Sequence, residues 1–252
     1  ALQAGTSHFF GTNFSEAYGI QFLSKEGKLE YAQETSWGVS TRLIGAIIMT
    51  HGDERGLRLP PQVAPIQVVV LPIAAHKPGV LEGAKVIADR LTAAGVRVKF
   101  DDRDTVSPGW KFNEWEMKGV PVRLEVGPRD LENNQVMVAR RDTFEKFALP
   151  MDGLEGEIEA LLASIQKTMF EQARDFRDEH TVEVHNYEEL KAAVEGGFAK
   201  GMWCGDAACE EKLKADINAT TRNMPFDQTP CGDTCCVCGK RATKLMYFAK
   251  AY

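Results

Sequence analysis

"IQVVVLPIAAHKPGVLEGAKVIADRLTAAGVRVKF", residues 66–100, sets the rhythm of the middle of the chain. "IQVVVLPI" is an apolar run of the length of a buried strand. "LEGAKVIADRLTAAG" places Leu81, Ala84, Ile87, Ala88, Leu91 and Ala94 on one helical face and stops at Gly95. "VRVKF" then alternates Val96, Val98 and Phe100, and "VRLEV" alternates Val122, Leu124 and Val126. Strand, helix and strand at this spacing predict a right-handed crossover in a mostly parallel sheet. The unit is a small α/β domain of about 100 residues.

Texture changes on both sides of it. Upstream, "RLPPQVAP" (residues 58–65) has three prolines in eight positions, which breaks helix and central strand and predicts a linker. Before that, short alternating segments ("YGIQFLS", "KLEYAQ") precede an apolar helical run, "STRLIGAIIMTHG". Downstream of Pro150, Ile158, Leu161, Leu162, Ile165, Met169, Phe170, Ala173 and Phe176 form the stripe of a long amphipathic helix. "NYEELKAAVEGGFAKGMWCG" reads as helix up to the first cysteine pair, and "KLMYFAKAY" reads as a strand. The expected division is 1–62, 63–165 and 166–252.

A hydrophobic content of 44% with 26% charged residues belongs to a globular chain rather than a disordered one. No apolar run approaches the roughly 20 residues of a membrane-spanning helix. "ALQAGTSHFF" lacks a basic n-region and apolar core, so no signal peptide is expected. The start without Met fits a processed chain or a piece of something longer. A net charge of −6 argues against nonspecific coating of DNA and leaves room for a local basic face.

All six cysteines lie between Cys204 and Cys238. Cys204-x4-Cys209 and Cys235-x2-Cys238 supply two ligand pairs, as a tetrahedral zinc site requires. Four thiolates fill the coordination sphere and leave no place for water, so the expected role is structural. Cys236 competes with Cys235 for the fourth position, and Cys231 lies close enough to compete as well. A redox protein built on C-x-x-C is the third-ranked reading, because four ligands close the metal.

"SWGVSTRLIGAIIMTHGDERGLRLPP", residues 36–61, puts Arg42 at the opening of an apolar helix just after Ser40 and Thr41. Such an arginine is either a surface residue of the first turn or a fork for a carboxylate or phosphate, reinforced by the backbone N–H groups of the helix start. No nucleophile elbow, Walker loop, H-E-x-x-H or dinucleotide fingerprint is present.

This W-G-x-S-T-R-x-I-G-A…H-G-D-x-x-G-L-x-L-P-P stretch resembles motif 3 of class II aminoacyl-tRNA synthetases, in detail that of prolyl-tRNA synthetases. "QAGTSHFFGTNF" (residues 3–14) is similar to the upstream proline and ATP segment. "PGWKFNEWEMKGVPVRLEVGPRD" (108–130) resembles the family's anticodon-binding domain. The cysteine-rich end resembles its archaeal/eukaryotic-type zinc extension. The resemblance implies an α/β and α+β multidomain protein. Its parts would be the end of an antiparallel-sheet catalytic domain, an α/β anticodon-binding domain and a small α/β zinc-binding domain.

It also implies ATP-dependent attachment of L-proline to tRNA(Pro) through a prolyl-adenylate, with magnesium accompanying ATP. Gln3, Thr6, Ser40 and Arg42 would contact ATP, Arg42 as the catalytic motif 3 arginine on the phosphates. His8 and Trp37 would form the proline pocket. Glu116, Arg123 and Arg129 would read the anticodon guanines, with Trp110, Phe112 and Trp115 available to stack. Trp115 reads equally as core, and Arg123 as a solvated partner of Glu125. Cys204, Cys209, Cys235 and Cys238 would hold zinc, and Tyr252 would be the family's buried terminal tyrosine. A cytoplasmic homodimer, joined through the part before residue 1, is implied, without membrane or DNA partners. Motifs 1 and 2 are missing, so these residues alone are not expected to form prolyl-adenylate. The competing class is a noncatalytic tRNA-binding or regulatory module derived from such an enzyme.

Overall fold

The computed structural model describes residues 1–250, so Tyr252 lies outside the described residues. The chain divides into two compact units: residues 1–46 together with those from Arg177 onward, and Ile47–Phe176. Among the described residues, no helix is long and apolar enough to cross a membrane.

The N-terminal stretch holds β1 (Gly5–Gly11), α1 (Asn13–Tyr18), β2 (Gln21–Leu23), β3 (Leu29–Tyr31), β4 (Glu34–Val39) and α2 (Arg42–His51). β1 and β4 form an antiparallel ribbon, and β2 and β3 form a short hairpin.

The unit Ile47–Phe176 is the α/β domain. It contains β5 (Val68–Pro72), α3 (Val80–Ala93), β6 (Val98–Phe100), α4 (Pro108–Met117), β7 (Val122–Val126), α5 (Pro128–Glu132), β8 (Gln135–Arg140), β9 (Lys146–Pro150) and most of α6 (Leu154–Glu179). The sheet order is β6-β5-β7-β8-β9. β5 pairs in parallel with β6 and β7, as the strand–helix–strand rhythm predicts. β8 and β9 add an antiparallel hairpin that no periodicity announces.

Period-two alternation sends Val68, Val70, Val122, Leu124 and Val126 to one sheet face, where Ala84, Ile87, Ala88 and Leu91 of α3 and Leu154–Met169 of α6 cover them. Val69 and Leu71 face the opposite side, against Trp115 of α4 and Val120. The result is a sheet between helical layers, a common way to bury a parallel core on both faces. On α3 the buried face includes Val80, while Leu81 is half exposed.

Three expectations change here. The proline-rich segment is packed into the domain: Pro60, Pro61 and Ala64 are buried. The Arg97 guanidinium donates to the carbonyls of Ala64 (2.8 Å) and Pro61 (2.7 Å). The segment lies outside helix and strand, so its carbonyls take side-chain donors, Gln67 Nε2 also donating to the Pro61 carbonyl at 3.2 Å. The division at 165/166 falls inside α6, whose Ile165 and Met169 both lie in the α/β core. The apolar stripe of that helix is buried only as far as Met169; Phe170 and Phe176 are each 63% exposed.

The C-terminal region contains β10 (Thr181–Val184), α7 (Tyr187–Gly196), β11 (Phe198–Trp203), α8 (Ala207–Ile217), β12 (Ala219–Asn223) and β13 (Lys244–Lys250). Its sheet order is β10-β11-β13-β12. The helix expected to run to Cys204 stops at Gly196, and "FAKGMW" is the strand β11. Gly197 explains the break, since a Cβ there would lie 2.1 Å from the carbonyl oxygen of His180. Asn186 starts α7 by accepting from the Glu189 N–H (3.0 Å), and Asp206 starts α8 by accepting from the Ala208 N–H (3.0 Å). Phe248, Leu245, Leu190 and Leu213 fill the core.

Candidate functional site

One row of paired residues crosses the α/β sheet: Val69 of β5, Arg123 of β7, Ala139 of β8 and Lys146 of β9. Residues in register across a sheet point to the same face. This row floors a cavity of about 190 Å³, with Trp115 and Glu116 of α4 as one wall and Arg140 at the end of β8 with Arg141 and Phe144 of the β8–β9 turn as another. Arg55 stands at the rim. Five cationic side chains and one carboxylate therefore line this space in a chain whose net charge is negative. Such a lining suits an anionic partner that also offers hydrogen-bond donors to Glu116.

Each wall is fixed from behind. Ser107 caps α4, accepting from the Trp110 N–H at 3.3 Å, and Pro108 occupies its first turn. Asp101, buried beneath the helix, accepts from Trp115 Nε1 (2.8 Å) and from Arg103 Nε (2.8 Å) and Nη2 (2.6 Å). Burial alone would raise the Asp101 pKa; the hydrogen bonds from Arg103 and Trp115 and the Lys111 charge outweigh it and hold the carboxyl below its ordinary value. Arg123 lies over the Phe112 ring at 4.3 Å and pairs with Glu125 at 3.2 Å, and Lys146 takes the other Glu125 oxygen at 2.7 Å. Arg123 is thus a half-buried cavity wall rather than a solvated face residue, and Trp115 is a core pillar. Trp110 is half exposed beneath Arg103 and lies away from the cavity, as does Arg129, exposed on α5.

Arg141 is the keystone of this side. It donates to both carboxylate oxygens of Asp53 (2.6 and 2.7 Å) and to the carbonyl of Glu116 (2.9 Å). The backbone beside it approaches closely: Leu57 N–H reaches the Met117 carbonyl at 2.9 Å. A Cβ on Gly119, whose φ is +73°, would meet the Leu57 backbone at 2.7 Å. The Arg141 hydrogen bonds pull the Asp53 pKa down to about 2. A depressed carboxyl contributes stability above its unfolded value and loses it as protons bind the native state. Stability of the α/β unit should therefore fall as pH drops from about 4 towards 2, and Asp53→Asn should flatten that part of the curve in urea titrations.

In the C-terminal region, Cys204 (end of β11), Cys209 (α8), Cys235 and Cys238 bring their sulfurs within 4.8 Å of one another. The Cys204–Cys209 and Cys204–Cys238 sulfur separations are 3.6 and 3.8 Å. A tetrahedron of zinc–sulfur bonds has edges of about 3.8 Å, so the four residues fit that ion. Burial pushes the Cys209 and Cys235 thiols up, whereas the Lys240 backbone N–H beside Cys238 pulls that thiol down. Cys236 is buried elsewhere: its sulfur lies 3.1 Å from where a Cβ on Gly201 would stand. Cys231 is outside the cluster.

On the β1–β4 ribbon, Gln3, Thr6, Ser40 and Arg42 line a second cavity, also of about 190 Å³. Arg42 Nη1 donates to Gln3 O and Oε1 (3.4 Å each), and the Ser40 hydroxyl accepts from the Arg42 N–H (3.3 Å). His8 and Trp37 are not brought to one pocket. Thr6 pairs with Gly38, Ser7 with Trp37 and His8 with Ser36, so His8 shares the face of Thr6 while Trp37 points to the reverse. Trp37 is 78% exposed there.

The comparisons match this layout. Residues 67–161 match the family described as "Anticodon binding domain", and residues 187–252 match "Prolyl-tRNA synthetase, C-terminal". The chain corresponds to the C-terminal part of prolyl-tRNA synthetases. It is 56% identical to "Proline--tRNA ligase" of Clostridium novyi, 55% to "Proline--tRNA ligase 2" of Bacillus cereus and 54% to "Proline--tRNA ligase" of Lachnospira eligens. Each similarity covers 100% of this chain and 53% of the relative, so the chain spans about half the length of the relatives it matches. These three relatives come from bacteria, although the zinc extension resembles the archaeal/eukaryotic type. Sequence reasoning missed Arg55, Arg140, Arg141, Phe144 and Lys146 at the α/β cavity. They reach it through the unannounced β8–β9 hairpin and through the H-G-D-x-x-G segment, which the motif resemblance ties to catalysis alone.

Proposed function

We propose that this chain is part of an enzyme joining L-proline to tRNA(Pro) through a prolyl-adenylate, and that the α/β cavity reads the anticodon. What carries the reading is the convergence of Glu116 and Arg123 on one cationic cavity. Guanine offers N–H donors on its Watson–Crick edge, which suit Glu116, and acceptors on its Hoogsteen edge, which suit the Arg123 fork. Arg129, outside the cavity, is left to meet an adjacent guanine or the backbone. The relatives' names and the anticodon-domain match support the assignment.

On the ribbon, Gln3, Thr6, Ser40 and Arg42 take ATP with its magnesium. Arg42 draws charge from the α-phosphate as the proline carboxylate attacks it and pyrophosphate leaves, and the tRNA 3′-terminal hydroxyl then takes the prolyl group from the adenylate, releasing AMP. Of the two proline candidates, His8 shares the face of the ATP set and Trp37 stands on the reverse. The end of a class II catalytic domain (1–62), the anticodon domain (63–165) and a zinc-binding domain (166–252) form the functional plan, with the last boundary inside α6. Zinc in the four-cysteine cluster is structural. The enzyme works as a cytoplasmic homodimer, without membrane or DNA.

A filter-binding titration of an anticodon stem–loop of tRNA(Pro) tests the central claim. Replacing either anticodon guanine, or Arg123→Ala in the protein, should each weaken binding about 5- to 150-fold. Equal affinity for loops with and without the guanines overturns it.

A further inference from the structure

Phe144 is the one residue lining the α/β cavity whose φ is positive. Its φ is +62°, in the left-handed region that a bulky side chain enters at a cost. The β8–β9 turn holds it there: the Phe144 N–H donates to Arg140 O at 3.1 Å and Arg140 N–H to Glu145 O at 3.0 Å. Phe144 is 44% exposed where it lines the cavity. One edge of its surroundings is rigid, because the Arg141 guanidinium, 5.2 Å from the ring centroid, is pinned by Asp53 and the Glu116 carbonyl. The other cover is loose. Arg55 lies over the ring at 4.4 Å with its side chain 60% exposed, and the same guanidinium holds Glu116 at 3.1 Å.

We propose that Phe144 is the stacking platform for a nucleobase of the anticodon loop, and that this base replaces Arg55 over the ring. The inference rests on the reading of the cavity as the anticodon site. One displacement then does two things: it uncovers an aromatic face, and it frees the Glu116 carboxylate to accept from a guanine. An exposed ion pair such as Arg55–Glu116 is weak enough to yield to a ligand. Stacking on an aromatic ring suits any base, so Phe144 contributes affinity while Glu116 and Arg123 contribute the choice of base. The strained backbone is what keeps the ring at the mouth in the absence of RNA.

The test compares Phe144→Asn and Phe144→Tyr in the full chain, titrated with the tRNA(Pro) anticodon stem–loop. Asparagine tolerates the left-handed conformation, so Phe144→Asn should fold with unchanged or higher thermal stability. It should nevertheless bind the stem–loop about 5- to 150-fold more weakly. Phe144→Tyr should retain affinity. In an abasic scan of the loop, one position should abolish the difference between the wild type and Phe144→Asn, because the stacked base is then already missing. If the wild type distinguishes guanine-containing loops and Phe144→Asn binds them equally well, the platform is overturned and the anticodon reading stands. If the wild type shows no preference for guanine, the reading fails and the platform with it.

Discussion

If the cysteine cluster holds zinc as proposed, stripping that metal should unfold the β10–β13 sheet while the α/β unit keeps its melting transition. Between Asn223 and Lys244 the chain has no helix or strand, and it carries Cys235 and Cys238. The other two ligands sit at the end of β11 and in α8. The cluster therefore closes a long irregular segment onto two regular elements, and without it the segment's conformational entropy returns. Structural zinc contributes about 10–16 kcal/mol in small domains at neutral pH. That matches or exceeds the roughly 5–15 kcal/mol by which a domain is stable at all. Hydrogen exchange with and without a strong chelator reads the outcome: amides of β11 and β13 should lose protection and those of β5 and β7 should keep it. Cys209→Ser should reproduce the chelator, and Cys231→Ser should leave the protein as it is. Unchanged protection in the chelated chain would sink the structural role.

Asp101→Ala is expected to cost about 3–5 kcal/mol, the penalty for removing one partner of a buried pair. The Asp101 side chain is 1% exposed and that of Lys111 6%, with Lys111 Nζ 3.6 Å from one carboxylate oxygen and 3.1 Å from the Asp101 carbonyl. Loss of the carboxylate strands the ammonium with a single carbonyl and leaves Trp115 Nε1 without its acceptor. Both groups belong to α4, so the helix that presents Glu116 should loosen first. Urea denaturation measures the loss. The double variant Asp101→Ala, Lys111→Met should recover much of it, because the stranded charge is gone. A single-variant loss below about 1 kcal/mol would mean that water reaches the site and compensates the lysine.

The strand–helix–strand core was legible because its signal is local. Val68–Pro72, the α3 face and Val122–Val126 each repeat with the period of one element, and burial follows that period. The cysteine quartet was legible as two closely spaced pairs, and the structure groups Cys235 with Cys204, Cys209 and Cys238 while the Cys236 sulfur lies beside Gly201. The cavity walls were not legible. Arg141 meets Asp53 across 88 residues and Arg58 meets Gln172 across 114, pairings that no window of sequence contains. Nor does "RRDTFEK" advertise a hairpin, since its turn uses Phe at a position where glycine or asparagine would normally give the hint. Motif resemblance named Glu116 and Arg123, and the fold supplied the rest of their company.

The position of β13 bears on how the protein is made. Lys244–Lys250 lies between β11 and β12, and among the described residues β12 has no other neighbour in its sheet. Translation delivers β12 roughly 20 residues before the strand it must pair with, which at about 5–20 residues per second is a wait of roughly one to four seconds. During that interval β11 has an open flank and β12 hangs unpaired, whereas the α/β sheet is already closed. A nascent chain stalled before residue 244 would thus expose two naked strand borders, the form most open to capture by chaperones or to mispairing.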